Sequence, residues 1–492
     1  MPKYLVPRDE LPYNPSDRQS IIDYAYLLEG HTLQEACDID SHEAHETKKG
    51  NKGGLGQAVE YYYFKYEPNS DQEPDFPEVG MELKTTPIKR NKNKSISAKE
   101  RLVLTMIDYF KVVDETWETS TCLEKMRDIL LISYLHEPAK NVFDYEIEYA
   151  RPQDFPAEDM AVIQDDWETI VEKVRQGRAH ELSGGDTHYL EACTKSANSS
   201  MRRPQPFSDI PAKPRAFALK SSYMTAFYNK NLGLEAIRRI RGEESLSLED
   251  LVKSRFTKYK GMTATAIMEA LGRVASAKVS SAKSKYALVT KAILGIENDN
   301  DIAEFAKAGI ISKTIRIEES DVIEQHISFP SFEFSELLDE DDWDSSEFCR
   351  ICESEFFFVV FEKHGDDYLL AGCDFWRMPA SDREKARETW EETYRVVREG
   401  VLLSPRVNKA GKVQLCKDGN PVLDNNLPGP SFNGVAHVRP HTRLRAYRLE
   451  DGTEIGNVAA HASELPDGRA MTKQSFWLDK SYIRDQLRML GF

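Results

Sequence analysis

No stretch of the chain stays apolar for the roughly 20 residues a bilayer span requires, and Met1-Pro2-Lys3-Tyr4 opens neither a signal nor a transit peptide. Membrane insertion and secretion are not expected, and the cytoplasm is the expected compartment. Cysteine is scarce, with seven scattered through 492 residues, an odd number that argues for reduced thiols and against a disulfide framework. Cys349-Arg-Ile-Cys352 has no second Cys or His pair at finger or ribbon spacing, since Cys373 and Cys416 stand singly, so buried structural thiols are expected there. His180-Glu181 lacks a second histidine at helical spacing and runs into Gly184-Gly185, which excludes a zinc protease. Positive charge is also short: 65 Lys and Arg face 82 Asp and Glu, for a net charge of −17.

That deficit argues mildly against a nucleic-acid partner, but phosphate binding depends on where the cations sit. Here they cluster at Lys48, Lys49 and Lys52, at Lys89, Arg90, Lys92 and Lys94, and at Arg202, Arg203, Lys213, Arg215 and Lys220. The compensating acids gather elsewhere, notably over 339–344. A hydrophobic content of 40% and a mean hydropathy of −0.55 describe a globular chain long enough for two or three domains with ample cores.

The most informative stretch runs from Glu60 to Lys84. If Met81–Thr85 is extended, Glu82 and Lys84 share one face while Leu83 points into the core. Pro77 and Gly80 allow a turn that returns Asp75 beside them. Two carboxylates and an ammonium in one cleft suit a hard divalent cation held by oxygen, with a water or phosphate oxygen oriented next to it. Upstream, Lys52-Gly53-Gly54-Leu55-Gly56 yields to an apolar, aromatic run of helical length that carries Glu60.

These residues resemble the MutH-like branch of the PD-(D/E)xK endonucleases, and most closely its large two-domain members, the GATC-cleaving type II (type IIE) restriction enzymes of the staphylococcal kind. Lys52-Gly53 through Glu60, Asp75, and Glu82-Leu83-Lys84-Thr85-Thr86-Pro87 fit that pattern in order. The resemblance implies Mg2+ held by Asp75 and Glu82, Lys84 polarising water or the scissile phosphate, and Glu60 shaping the metal site from its helix. It also implies double-stranded DNA cut at GATC in host defence, a cognate DNA methyltransferase in the same system, and a monomer that can dimerise on DNA. Lys125 stands where the family has a further active-site lysine, although the residues alone read it as a lysine on a helix face. Lys195 is all that remains of the family's DNA-reading Arg-Pro-Lys triplet, and Ala218 stands where the smaller repair enzyme has a reading tyrosine.

Periodicity assigns an amphipathic helix to 18–29, core strands to 101–110 and 129–134, and a helix from Trp167 to Gly177. Beyond a charged linker the plan repeats. Lys260-Gly261 echoes Lys52-Gly53, Glu304 to Thr314 runs in step with Asp75 to Thr85, Trp390–Gly400 repeats Trp167–Gly177, and Phe476–Tyr482 restates Phe217–Tyr223. Ile311 answers Glu82 and Met268 answers Glu60, with Glu269 one position on, so the second copy should be catalytically silent. His437-Val-Arg439-Pro440-His441 nevertheless matches the family's reading element, and arginine can read guanine bidentately. The expected fold is α/β: two tandem MutH-like PD-(D/E)xK domains, each a mixed β-sheet flanked by helices, the second degenerate. The expected division is 1–232 catalytic, 233–246 linker, and 247–492 DNA-binding effector or brace. DNA contacts are expected from Lys52, Gly53, Lys195, Arg439, Pro440 and His441. The alternatives are a methyl-directed nicking endonuclease of mismatch repair and a non-catalytic DNA-binding scaffold.

Overall fold

A computed structural model describes residues 3–37, 54–68, 73–91, 95–137, 140–196, 200–229, 234–243, 245–273, 282–296, 301–340, 342–416 and 419–492. The chain divides into two compact units, Met1–Ala236 with Asn300–Gly309, and Ile237–Asp299 with Ile310–Phe492. Both are mixed α/β.

In the first unit a four-stranded sheet is ordered Ile96–Ala98, Glu82–Arg90, Ile129–Leu135, Ile147–Gln153. Its two central strands are parallel, with Glu82 opposite Ile129 and Lys84 opposite Leu131, and both flanking pairs are antiparallel. Ile129-Leu-Leu-Ile is buried on both faces, as an uninterrupted apolar run in a central parallel strand should be. A second sheet, fully antiparallel, has Arg215–Leu219 between Leu102–Met106 and Leu190–Thr194. The aromatic run at 61–64 explains the core beside the first sheet: Tyr63 stacks on Tyr24 at 4.3 Å, and Phe64 meets Phe76 edge-on at 5.2 Å.

Two expected elements differ in extent. The helix assigned from Trp167 starts at Ala157 and runs to Arg175, because Glu158 and Asp159 suit a first turn and Ile163, Trp167, Ile170, Val171 and Val174 form one buried stripe. It stops at Gly177, whose φ of +71° favours glycine and whose Cβ would sit 2.5 Å from the Phe207 carbonyl oxygen. The strand expected over 101–110 is confined to Leu102–Met106, since the Asp108 side chain accepts from the Phe110 and Lys111 amides and starts a short helix instead.

The two main sheets of the second unit repeat the central pairings of the first unit's sheets. Ile311–Ile317 runs parallel to Glu355–His364, which pairs antiparallel with Asp367–Arg377. A separate antiparallel sheet has Gln474–Leu478 between Ile327–Phe332 and Ala436–Pro440. In each unit a tryptophan turn precedes a serine-capped helix: Ser120 Oγ donates to the Trp117 carbonyl at 2.9 Å and Ser346 Oγ to the Trp343 carbonyl at 2.8 Å. The long helix that follows brings a second tryptophan against the first, Trp167 on Trp117 and Trp390 on Trp343, each pair tilted by 57°.

One segment departs from this parallel. The stretch aligned with the Asp75–Gly80 turn is a helix, Ala303–Ala308, and it belongs to the first unit. Lys307 Nζ lies 2.6 Å from Asp159 Oδ1, and the Ser222 hydroxyl donates to the Lys307 carbonyl at 3.0 Å. Gly309, with the same φ of +70° as Gly80, keeps the left-handed conformation at that place. The alanines of Ala303-Glu-Phe-Ala-Lys-Ala favour helix where Asp75-Phe-Pro-Glu-Val cannot sustain one.

Candidate active site

The helix Gly54–Ala58 passes without a break into a π-helical turn, Val59–Tyr63, in which the Phe64 amide reaches back to the Val59 carbonyl at 3.0 Å. Such turns recur at functional sites because one extra residue re-aims a side chain. Here the turn carries Glu60. Gly56 lets this helix lie against the Glu82–Arg90 strand, since a Cβ there would meet Thr85 Oγ1 at 2.8 Å.

Asp75 is brought to the strand as its position relative to Gly80 suggested. Phe76 and Met81 form an antiparallel bridge, and Asp75 Oδ2 accepts the Leu83 amide at 2.8 Å. Leu83 packs into the core, while the Glu82 carboxylate is held by two ammonium groups on the site's side. Lys84 Nζ donates to Glu82 Oε1 at 2.6 Å and Lys125 Nζ to Glu82 Oε2 at 2.9 Å. Lys125 also donates to the Glu73 carbonyl at 3.1 Å. The Thr121–Met126 helix leads directly into the Ile129–Leu135 strand beside Glu82, which is how a lysine more than forty residues away in sequence enters the cluster. The helix-face reading of Lys125 is therefore incomplete: it is on a helix, but its head is an ion-pair partner within the carboxylate cluster.

The charges crowd one another. Burial pushes the Glu60 carboxyl up to about 7, with Asp75 and Glu82 raising it further and Lys84 opposing them. Burial and the neighbouring Glu82 push Asp75 up to about 6, against the Leu83 amide, Lys84 and Lys125. Two carboxyls raised in this way beside the lysine-paired Glu82 form a hard oxygen donor set. The Tyr66 hydroxyl adds to this. It is fully buried and has no hydrogen-bond partner among the described residues, and burial, with the charges of Asp75, Glu60 and Glu82 adding to it, raises its pKa well above the ordinary value. A divalent cation held by Asp75 and Glu82, with the Glu60 carboxylate beside it, fits this set. No sequence signal marked Tyr66, whose role depends only on packing.

The DNA-facing expectations fare unevenly. Lys52 and Gly53 lie outside the described residues, as do Lys48, Lys49, Lys92 and Lys94. Lys195 is exposed just beyond the Leu190–Thr194 strand. Arg439, Pro440 and His441 are exposed at one end of the Ala436–Pro440 strand, in the other unit. Arg215 is a correction to the basic cluster: it is buried, and its guanidinium donates to the Ala192 carbonyl at 2.5 Å, so it braces the second sheet. Arg90 is paired with Glu148. In the second unit, Glu269 is exposed on the Ala264–Ala270 helix, and Lys313 Nζ donates to the Ser328 carbonyl at 3.0 Å.

The family model described as DNA mismatch repair enzyme MutH matches residues 64–166, the span that holds Asp75, Glu82, Lys84 and Lys125. Proteins named DNA mismatch repair protein MutH from Shewanella woodyi and Shewanella oneidensis are 28% and 25% identical over 230 and 222 residues. Those alignments cover 45% and 44% of this chain, and 96% and 97% of theirs. A protein named type II restriction enzyme Sau3AI, from Staphylococcus aureus, is 35% identical over 491 residues, 90% of this chain and 94% of its own. The chain belongs to the MutH-like type II restriction enzymes and is a site-specific deoxyribonuclease. Among the described residues no helix is long and apolar enough to cross a membrane.

Proposed function

We propose that this restriction endonuclease cuts both strands of DNA at GATC with Mg2+, using Glu60, Asp75, Glu82, Lys84 and Lys125, and that its second unit is a silenced copy that binds another target site. The observation that carries the catalytic part is the convergence on Glu82: two lysines on its two oxygens, Asp75 tied to the next residue, and Glu60 facing them from a π turn. When bound, Mg2+ would supply Lewis acidity and neutralise charge building on the phosphate oxygens. Asp75 and Glu82 would hold it, with Glu60 adding negative charge from the helix. Lys84, beside Glu82, would orient water or the scissile phosphate through its three N–H donors. Lys125, fixed at its other end by the Glu73 carbonyl, keeps Glu82 in place and adds positive charge where the phosphate arrives. Lys52, Gly53 and Lys195 contact DNA on the same unit.

Several features support the reading of a silenced copy: the shared order of both sheets, the paired tryptophans, and Ile311 opening the strand that corresponds to the one Glu82 opens. The second unit's DNA contacts would come from Arg439, Pro440 and His441. A coupling of about 1–3 kcal/mol, roughly 5- to 150-fold, is the ordinary range for an effector site. The enzyme acts beside a cognate methyltransferase that protects host DNA, as a monomer that dimerises on its target. A nicking role in mismatch repair is disfavoured, because the MutH relatives align with less than half of this chain. The test is digestion of plasmid DNA with Mg2+ followed by end sequencing: GATC at the ends supports the site, and no enrichment overturns it. A two-site plasmid should be cut faster than a one-site plasmid, and short GATC duplex should rescue the slower one. Equal rates and no rescue would leave the second unit as a brace.

A further inference from the structure

In the first unit, the residues that flank the antiparallel sheet at one end form an ion pair. Arg101, just before the Leu102–Met106 strand, lies 3.2 Å from Glu191, the second residue of the Leu190–Thr194 strand. The register of the corresponding sheet in the second unit puts His326 and His437 in those places. Leu102 and Leu190 both face Leu219 in the first sheet, and Ile327 and Ala436 both face Leu478 in the second. The residue after Leu478 is Asp479.

These three side chains converge. One ligand-capable atom from each of His326, His437 and Asp479 lies within 4.8 Å of the other two, and the imidazole rings meet edge to face with centroids 4.7 Å apart. His437 is fully buried, and neither of its ring nitrogens has a hydrogen-bond partner among the described residues. Leaving both nitrogens of a buried imidazole unmet costs free energy that a structural core normally avoids. His326 Nδ1 accepts the Lys480 amide at 3.1 Å and lies 3.4 Å from Asp479 Oδ2, so an ion bound through Nδ1 would take the place of that amide contact. The spacing matches the edge of a tetrahedron built on metal–ligand bonds of about 2.0–2.1 Å, which is about 3.3 Å. The other carboxylate oxygen, Oδ1, caps the following helix through the Ser481 amide at 2.8 Å, which fixes the carboxylate and leaves Oδ2 for the ion.

We propose that His326, His437 and Asp479 form a second metal site, selective for a divalent ion of the zinc class over magnesium and separate from the Glu82 cluster. Two imidazoles and one carboxylate are the donor set of a three-ligand zinc site with one open position, whereas Mg2+ prefers oxygen. The ion joins three neighbouring strands at one end of a sheet. It thereby fixes the strand on which Arg439 follows His437 by two residues, with its guanidinium over Trp477.

The experiment uses the full chain carrying Glu82→Gln, so that the carboxylate cluster does not compete, stripped of metal and titrated with Zn2+ against a chromophoric chelator. The expected result is one tight equivalent of Zn2+ per chain, no competition from millimolar Mg2+, and a tetrahedral-type visible spectrum when Co2+ replaces Zn2+. His437→Ala and, separately, His326→Ala should each weaken Zn2+ by at least about 100-fold, since even partners outside the ligand set are worth about 10–100-fold. His326 is partly open at the strand end, so its variant keeps the test valid if His437→Ala fails to fold. Absence of tight Zn2+ binding overturns the proposal, as does Zn2+ binding that survives His326→Ala, which would point to the cysteines instead.

Discussion

Lowering the pH from 8 to 6 should cost the Glu82 cluster most of its affinity for Mg2+, and the structure sets the size of the loss. A carboxylate must shed its proton before it can serve a cation. With Glu60 pushed up to about 7 and Asp75 to about 6, both are ionised at pH 8, whereas at pH 6 Glu60 is mostly protonated and Asp75 half so. The competing protons weaken binding by factors of about 11 and 2, together about 20-fold or about 1.8 kcal/mol. Glu60 is only half-buried and water screens its neighbours, so this figure is an upper bound. The sign follows from the direction of both shifts. Carboxyls raised above their ordinary values make the metal-free protein less stable as pH climbs from the ordinary carboxylate range through about 7, and cation affinity rises over the same window. Calorimetric titration of the DNA-free enzyme with Mg2+, in buffers of different ionisation enthalpy, reads both the affinity and the protons released. Glu60→Gln should shrink the pH effect to about 2-fold, the share of Asp75 alone. An affinity that changes less than 3-fold across this range in the wild type, or a Glu60→Gln variant with the full effect, would refute the shared-cluster reading.

Glu82→Ala and Asp75→Ala should each lower the cleavage rate by at least about 10³-fold while leaving gel-shift affinity for DNA within a few-fold, because binding rests on many phosphate contacts. Lys125→Ala should cost about 10²-fold in single-turnover cleavage, the scale of one preorganised donor, and a normal rate would return Lys125 to a structural role. Gly56→Ala should destabilise the first unit by about 1–3 kcal/mol in denaturant unfolding, because its Cβ meets Thr85 Oγ1, and Thr85→Ala should restore part of that loss. Arg439→Ala should abolish stimulation by added GATC duplex without lowering basal cutting of a one-site plasmid.

The sequence by itself determined what depends on near neighbours. Glycines before an apolar run, a proline and a glycine before an extended Glu-Leu-Lys, and the alternation that buries Leu83 against its charged neighbours all follow from backbone sterics and side-chain direction within a few residues. Glu60, Asp75, Glu82 and Lys84 were legible as a candidate cluster for that reason, and the strand pairings shared by the two units showed in the sequence as matching spacings. Tertiary structure decided whatever needed a partner from far along the chain. Lys125 reaches Glu82 only because Ile129–Leu135 pairs in parallel with Glu82–Arg90, and no local pattern encodes that register. Arg215 looked like one more surface cation until its strand became the buried centre of a sheet. The segment around Glu304 carried a turn's alignment but alanine-rich helix propensity, and packing in the first unit decided for the helix. Tyr66 and the convergence of His326, His437 and Asp479 had no signal, although His437 opens the segment that resembles the family's reading element. Burial and convergence are what give those groups their chemistry, and both are properties of the folded chain.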